Sequence, residues 1–317
     1  MNDQELDIVT GAFSFSGRYI ARRLIYSGRR VRSLNRKNGQ DRIAGVRIET
    51  APLDFSRPDD LLESMKGAST LYNTYWIRFS HASQPEAFQT ALRNSRILFE
   101  CAQKAGIRRI VHLSVTNATQ NSTLSYFKGK AEAESSLAES GISHAILRPS
   151  LVFAEEDILL NNIAWLLRHF PFFAIPGDGK YTVQPVYVGD LAEIAVNAGG
   201  HMHNQVEDVT GPDTFTFEEL VRLVSLKVGS RTIFFHCDPQ IALDLASVMG
   251  WFMKDVLLTK EELQALMENL LTSRETPIGH TSLTDWLDEN AKDYGIKYHS
   301  QMDRHRIVQS ESGGGGG

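Results

Sequence analysis

The strongest constraint on the fold lies in the first 150 residues, where short β-rich runs alternate with longer helical patterns. That alternation builds a doubly wound parallel sheet. The runs cover 6–10, 30–34, 46–50, 70–74, 109–114 and 144–147, and their lack of clean polar alternation suits strands buried on both faces. Helical patterns cover 18–27, 59–65, 85–105 and 124–140, with Gly28, Gly67, Gly106 and Gly141 each placed to end one. Six strands match the Rossmann count. The expectation is an α/β Rossmann sheet over 1–150, then a smaller, mainly helical substrate lobe over 151–309 whose chain crosses back to the core.

After Pro149 the pattern is broken by Pro171, Pro176, Gly177, Gly179 and Pro185. The stretch 239–271 is apolar at helical spacing but carries Asp244, Lys254 and Asp255, so it reads as two packed amphipathic helices rather than a membrane anchor. The closing SESGGGGG has nothing apolar to order it, and 310–317 is expected to be a flexible tail.

Composition excludes several classes. With 42% hydrophobic and 22% charged residues the chain is of ordinary globular type, and no run of about 18 apolar residues is present to span a membrane. The opening MNDQELDIVTG lacks a basic, apolar leader pattern, so the expected compartment is the cytoplasm. Cys101 and Cys237 are far apart, which suits neither a metal site nor a disulfide framework; both are expected as buried reduced thiols. A net charge of -5 gives no broad cationic surface, so nucleic acid is not an expected partner. The expected partner is a small-molecule substrate, and a homodimer stays open.

The segment from Asp7 to Gly17, DIVTGAFSFSG, places Gly11 and Gly17 between a β run and a helix. Gly11 permits a tight turn, Gly17 close packing of helix on strand, and the helix N-terminus directs free N–H groups at a pyrophosphate. Ser14 stands where a central glycine is usual. Its side chain either crowds the pyrophosphate or donates a hydrogen bond to it.

Thr10-Gly11-x-x-Ser14-x-x-Gly17 resembles the Thr-Gly-x-x-Gly-x-x-Gly of extended and atypical short-chain dehydrogenases/reductases, with the central position changed. The resemblance continues. Asp54, in APLDF, matches the family's adenine-holding aspartate, and Asn94 its structural asparagine. Arg148-Pro149-Ser150 matches the segment ending the sixth strand, and GDG at 177–179 with QPVYVGDLA at 184–192 resembles atypical members, including the complex I accessory subunit. The cofactor set implied is Gly11, Phe13, Ser14, Phe15, Gly17, Asn35, Arg36, Asp54, Phe55, Lys130 and Pro149. An acid at the end of the second strand would suit NAD; here Asn35 is uncharged, and Arg36 with Lys37 offers cations to a 2′-phosphate, so NADP is preferred over NAD.

Reduction of a carbonyl needs a proton donor on its oxygen, and a lysine ammonium helps a tyrosine serve at neutral pH. Tyr126 and Lys130 stand four apart at the start of a helical pattern, hence on one face. The pair resembles the family's Tyr-x-x-x-Lys, in which tyrosine is the acid/base and lysine also binds the nicotinamide ribose. Ser114 and Thr116 both qualify as the family's third hydroxyl. His112, within an apolar run, reads as a packed core histidine. Tyr75, Trp76 and His81 are candidate substrate contacts, though Tyr75 and Trp76 read equally well as core or as residues that close the site. The implied function is an NAD(P)-dependent oxidoreductase or epimerase/dehydratase acting on a small carbonyl, alcohol or sugar-like compound; the alternative is a non-catalytic NADP(H)-binding sensor or accessory subunit.

Overall fold

The computed structural model describes residues 5–35, 42–77 and 86–300. The chain divides into two compact units, Met1–Pro149 with Val188–Val209, and Ser150–Tyr187 with Thr210–Gly317. Setting two-residue bridges aside, the elements of the N-terminal stretch are β1 (Leu6–Thr10), α1 (Phe15–Tyr26), β2 (Arg30–Asn35), β3 (Glu49–Pro52) and α2 (Pro58–Met65). Next come β4 (Ala68–Asn73), α3 (Glu86–Lys104), β5 (Arg109–Leu113), α4 (Ser125–Glu139) and β6 (Ser143–Pro149). Then follow α5 (Leu159–His169), β7 (Phe172–Pro176), α6 (Val188–Gly199), β8 (Gln205–Val209) and α7 (Phe217–Lys227). The chain closes with β9 (Ile233–Cys237), α8 (Pro239–Met253), α9 (Lys260–Met267) and α10 (Leu283–Asn290).

Seven parallel strands form the sheet of the first unit, in the order β8-β6-β5-β4-β1-β2-β3. This is a Rossmann order with one strand added at an edge. Strand order reverses between β1 and β4, and a crevice at such a switch point, outside the carboxyl ends of the strands, is where α/β sheets bind ligands. Ile8, Leu34, Leu71, Ile110 and Ile146 pack with Leu98, Phe99 and Ala102 of α3 in one buried cluster. Each of the Ile, Leu and Phe side chains contributes about 1.5–3 kcal/mol relative to exposure. Gly28, Gly67, Gly106 and Gly141 end their helices at positive φ, between 74° and 81°, where a side chain would strain the backbone.

Two expectations about strands change. Residues 46–47 do not belong to the sheet: they pair antiparallel with Arg42–Ile43 across a turn in which Ala44 and Gly45 both take positive φ, and the sheet strand starts at Glu49. The seventh strand, β8, escaped sequence reading because it lies on the sheet edge and carries polar Gln205, Glu207 and Asp208 among its valines.

In the second unit, α5, α7 and α10 pack around Phe153, Leu167, Val224, Trp286 and Leu287. The stretch after Pro239 forms two helices, parted by Lys254 in the left-handed conformation at φ 54°. Cys101 is buried, but Cys237, at the end of β9, is only half-buried, a correction to the expectation of two buried thiols. Among the described residues no helix is long and apolar enough to cross a membrane. The segment 310–317 lies outside the described residues.

Candidate dinucleotide and proton-transfer site

The turn after β1 is tied to the strand beside it. Gly11, at φ 65°, donates its N–H to the Leu34 carbonyl at 2.8 Å, and its own carbonyl accepts the Ser14 N–H at 2.8 Å. The Ala12 N–H donates to Ser33 Oγ at 3.0 Å. Helix α1 then starts directly beneath this turn. A Cβ on Gly17 would lie 2.2 Å from the Gly11 carbonyl oxygen, so only glycine permits the approach. Ser14 is exposed, extended at φ -76° and ψ 173°, and makes no side-chain cap, and the first turn of α1 contains no acid. The first turn of α1 thus supplies no acid of its own to offset the positive end of the helix. Phe13 and Phe15 flank Ser14, half-buried.

At the end of β2, Asn35 Oδ1 accepts the Ser33 hydroxyl at 2.7 Å, while Asn35 Nδ2 is buried and has no hydrogen-bond partner among the described residues. An unsatisfied buried donor is costly unless something accepts from it. Asp54 Oδ1 accepts from the Ser56 hydroxyl at 2.6 Å and the Ser56 amide at 2.9 Å, and these bonds, the hydroxyl first, hold its carboxyl below the usual range. These features fit a dinucleotide: a close glycine approach and dipole for the pyrophosphate, an idle amide at the ribose end and an ionised aspartate beyond it. Arg36, Lys37 and His81 lie outside the described residues.

Tyr126 and Lys130 lie in the first turns of α4, and Gly129 between them is obligatory, since a Cβ there would meet Phe88 at 1.5 Å. Lys130 is buried and donates from Nζ to the Leu113 carbonyl at 2.8 Å. Trp76 covers it: Nζ lies 4.5 Å from the indole centroid, and the indole meets the Tyr126 ring edge-on at 6.2 Å. Tyr75 instead turns into the core. Its ring lies 4.8 Å from that of Phe55, and its hydroxyl accepts from Asn94 Nδ2 at 2.8 Å.

The two candidate hydroxyls part company. Ser114 donates to Glu134 Oε1 in a close contact, and Glu134 is in turn gripped by Arg148 through Nε at 3.0 Å and Nη2 at 2.5 Å. Buried beside that ion pair, the Ser114 hydroxyl is already used. Thr116 is fully buried, and its amide donates to the Pro149 carbonyl at 3.1 Å.

Sequence reading missed a buried polar chain under this site. The Thr10 hydroxyl donates to Asn73 Oδ1 at 3.1 Å and accepts from the amides of Thr74 at 2.7 Å and Tyr75 at 3.1 Å. Asn73 Nδ2 donates to His112 Nδ1 at 2.8 Å. The chain links the carboxyl ends of β1, β4 and β5, hence the phosphate turn, the Trp76 segment and the Lys130 acceptor. Burial, and secondarily the Lys130 charge, pushes the His112 pKa well below 6.5, so this imidazole stays neutral with its proton on Nε2. It is a fully buried, packed histidine.

A family model described as NAD(P)H-binding matches residues 11–160. "NADH dehydrogenase [ubiquinone] 1 alpha subcomplex subunit 9, mitochondrial" of Arabidopsis thaliana is 26% identical over 227 residues, 68% of this chain and 56% of that protein. The chain thus spans little more than half the length of that curated relative. Among solved structures, the Citrobacter sp. triphenylmethane reductase complexed with NADP(H) superposes with a TM-score of 0.72 at 17% identity, covering 90% of this chain and 99% of that one. UDP-glucose 4-epimerase from Brucella ovis, in complex with NAD, superposes with a TM-score of 0.66 at 15% identity, covering 94% and 99%. At such identities the two likenesses carry the fold.

Proposed function

We propose that this chain, which resembles the Rossmann-fold NAD(P)-binding superfamily related to the epimerase/dehydratase and complex I accessory-subunit families, is an NADP(H)-dependent oxidoreductase or epimerase/dehydratase with Tyr126 as acid/base. The observation that carries this reading is the joint placement of Tyr126 and Lys130 one turn apart on α4, with the ammonium anchored on the Leu113 carbonyl at 2.8 Å. Gly11, Ser14 and Gly17 would hold the pyrophosphate, Asn35 the adenosine ribose or its 2′-phosphate, and Asp54 the adenine amine. When bound, the nicotinamide supplies or accepts a hydride. Tyr126 holds the proton that a substrate oxygen gains or loses, and Lys130 places a positive charge beside it, which favours the phenolate when that proton has left. The Asn73 amide keeps both strand ends in place without entering the chemistry.

NADP over NAD is supported by Asn35. A carboxylate here would repel a 2′-phosphate, whereas Nδ2 is a buried donor with no acceptor among the described residues. The substrate class is a small carbonyl, alcohol or sugar-like compound. The test is NADPH consumption over a panel of carbonyl compounds and nucleotide sugars. Tyr126→Phe should abolish turnover of any substrate found while leaving NADPH affinity within about twofold. Parent-like turnover in that variant removes Tyr126 from the reaction.

A second reading rests on a specific observation. The indole over Lys130, with Ser114 already bound by Glu134, leaves the proton-transfer set partly occupied by the protein itself. This favours an NADP(H)-binding sensor or accessory subunit, in line with the subunit to which the Arabidopsis thaliana relative's name refers. NADPH binding that raises the melting temperature, with no turnover across the panel, would support it.

A further inference from the structure

Helix α8, in the second unit, has a surface unlike an ordinary solvated face. Ile241, Leu245, Val248 and Phe252 follow one another at spacings of four, three and four, hence along one stripe of the helix. With Trp251 and Val256 they are between 42% and 75% exposed. At about 150–250 Å² for an aromatic side chain and somewhat less for an aliphatic one, these exposures leave roughly 600 Å² of apolar side-chain surface in water. That is the upper end of the largest patch on a typical monomer, about 300–600 Å².

We infer that α8 is a self-association surface, on which a second copy of this chain docks through the same stripe in antiparallel orientation. Two such patches, with Trp251 and Val256 included and wholly covered, bury roughly 1,200 Å² against each other, the lower bound for a specific protein–protein interface. The pattern is self-complementary about a two-fold axis near the middle of the stripe, between Leu245 and Val248. This axis sets Ile241 against Phe252 of the second copy, and Leu245 against Val248. Two-fold interfaces of this kind use one patch twice. Charge selects the antiparallel direction. Exposed Asp238 caps the start of α8, with its carboxylate accepting the Gln240 amide at 2.8 Å, and exposed Lys254 closes the other end. Antiparallel pairing sets each Asp238 at the end that carries the opposite Lys254, next to Asp255, which is buried and accepts the Tyr298 hydroxyl at 2.5 Å; parallel pairing sets like ends together. A lipid surface fits less well, because acids outnumber the two lysines from 238 to 268, where an anionic headgroup layer calls for a basic rim.

The test is sedimentation velocity on the full chain from about 1 to 100 µM. The expected species is a concentration-dependent dimer of twice 35.5 kDa. Val248→Asp, an exposed substitution whose folding is checked by circular dichroism, should weaken dimerisation at least tenfold. Lys254→Glu should weaken it as well, and Asp238→Lys added to Lys254→Glu should restore it by exchanging the charges. A monomer at 100 µM, or a dimer indifferent to Val248→Asp, overturns the proposal. So does a monomer that floats with phosphatidylcholine vesicles, which assigns the stripe to a membrane instead.

Discussion

Replacement of Trp76 by alanine separates the two readings of this site. The indole lies 4.5 Å above the Lys130 ammonium, which is only 4% exposed, so its cation–π contact falls toward the upper part of the usual range of about 0.5–2 kcal/mol. Its edge contact with Tyr126, at 6.2 Å between centroids, is worth about 0.5–1.5 kcal/mol in comparable pairs. A cofactor that uses Lys130 must displace the first of these contacts and leave the second intact or lose it too. Trp76→Ala removes that competition from the free protein. NADPH affinity should then rise by about 0.5–2 kcal/mol, roughly 2- to 30-fold. Thermal stability should fall at the same time, because the lost contacts belonged to the free state. Isothermal titration is the suitable assay, since a tryptophan signal would change with the substitution itself. An unchanged affinity would show that cofactor never meets the indole, and a tenfold weakening would show that the indole packs on the cofactor rather than in its place.

Three further outcomes follow from named contacts. Gly17→Ala drives a Cβ against the Gly11 carbonyl oxygen, and should lower unfolding free energy by about 1–3 kcal/mol in a denaturant titration; a parent-like midpoint would mean that the turn is loose. Asn35→Asp should shift the ratio of NADPH to NADH affinity at least tenfold toward NADH, and an unmoved ratio would take Asn35 away from the 2′ position. Burial holds His112 below its unfolded pKa near 6.5, so the unfolded chain binds the extra proton; the stability this gives is full above about 6.5 and is lost as pH falls. The loss approaches about 1.4 kcal/mol per pH unit, and His112→Gln, which keeps an acceptor for Asn73, should flatten that limb of the pH–stability curve.

What could be read from the chain was local. Gly28, Gly67, Gly106 and Gly141 announce helix ends because positive φ is a property of one residue, and Gly11 with Gly17 announces the turn because both partners lie within seven positions. The Tyr126 and Lys130 pairing was legible from helical spacing together with its place between the fifth and sixth strands and its resemblance to the family's Tyr-x-x-x-Lys. What stayed hidden depends on contacts distant in sequence. Asn73 has no local signature, and its role exists only because Thr10 and His112 come to it from β1 and β5. Ser114 and Thr116 looked equivalent until Glu134, twenty residues on from Ser114, took one of them. Tyr75 and Trp76 are adjacent aromatics just past the end of β4, yet one turns into the core and the other lies over Lys130.

The central claim, that a dinucleotide pyrophosphate sits on the N-terminus of α1, is tested most directly by titrating NADPH into the parent and into Ser14→Asp. Ser14 is exposed and makes no side-chain cap, while aspartate is a better cap and complements the helix dipole. The substitution should therefore leave the melting temperature equal or higher, yet set a carboxylate where the pyrophosphate must lie. The expected result is saturable one-to-one binding by the parent and at least tenfold weaker binding by a variant that is no less stable. Equal binding by both would place the cofactor elsewhere, and no NADPH or NADH binding by the parent would contradict the claim outright.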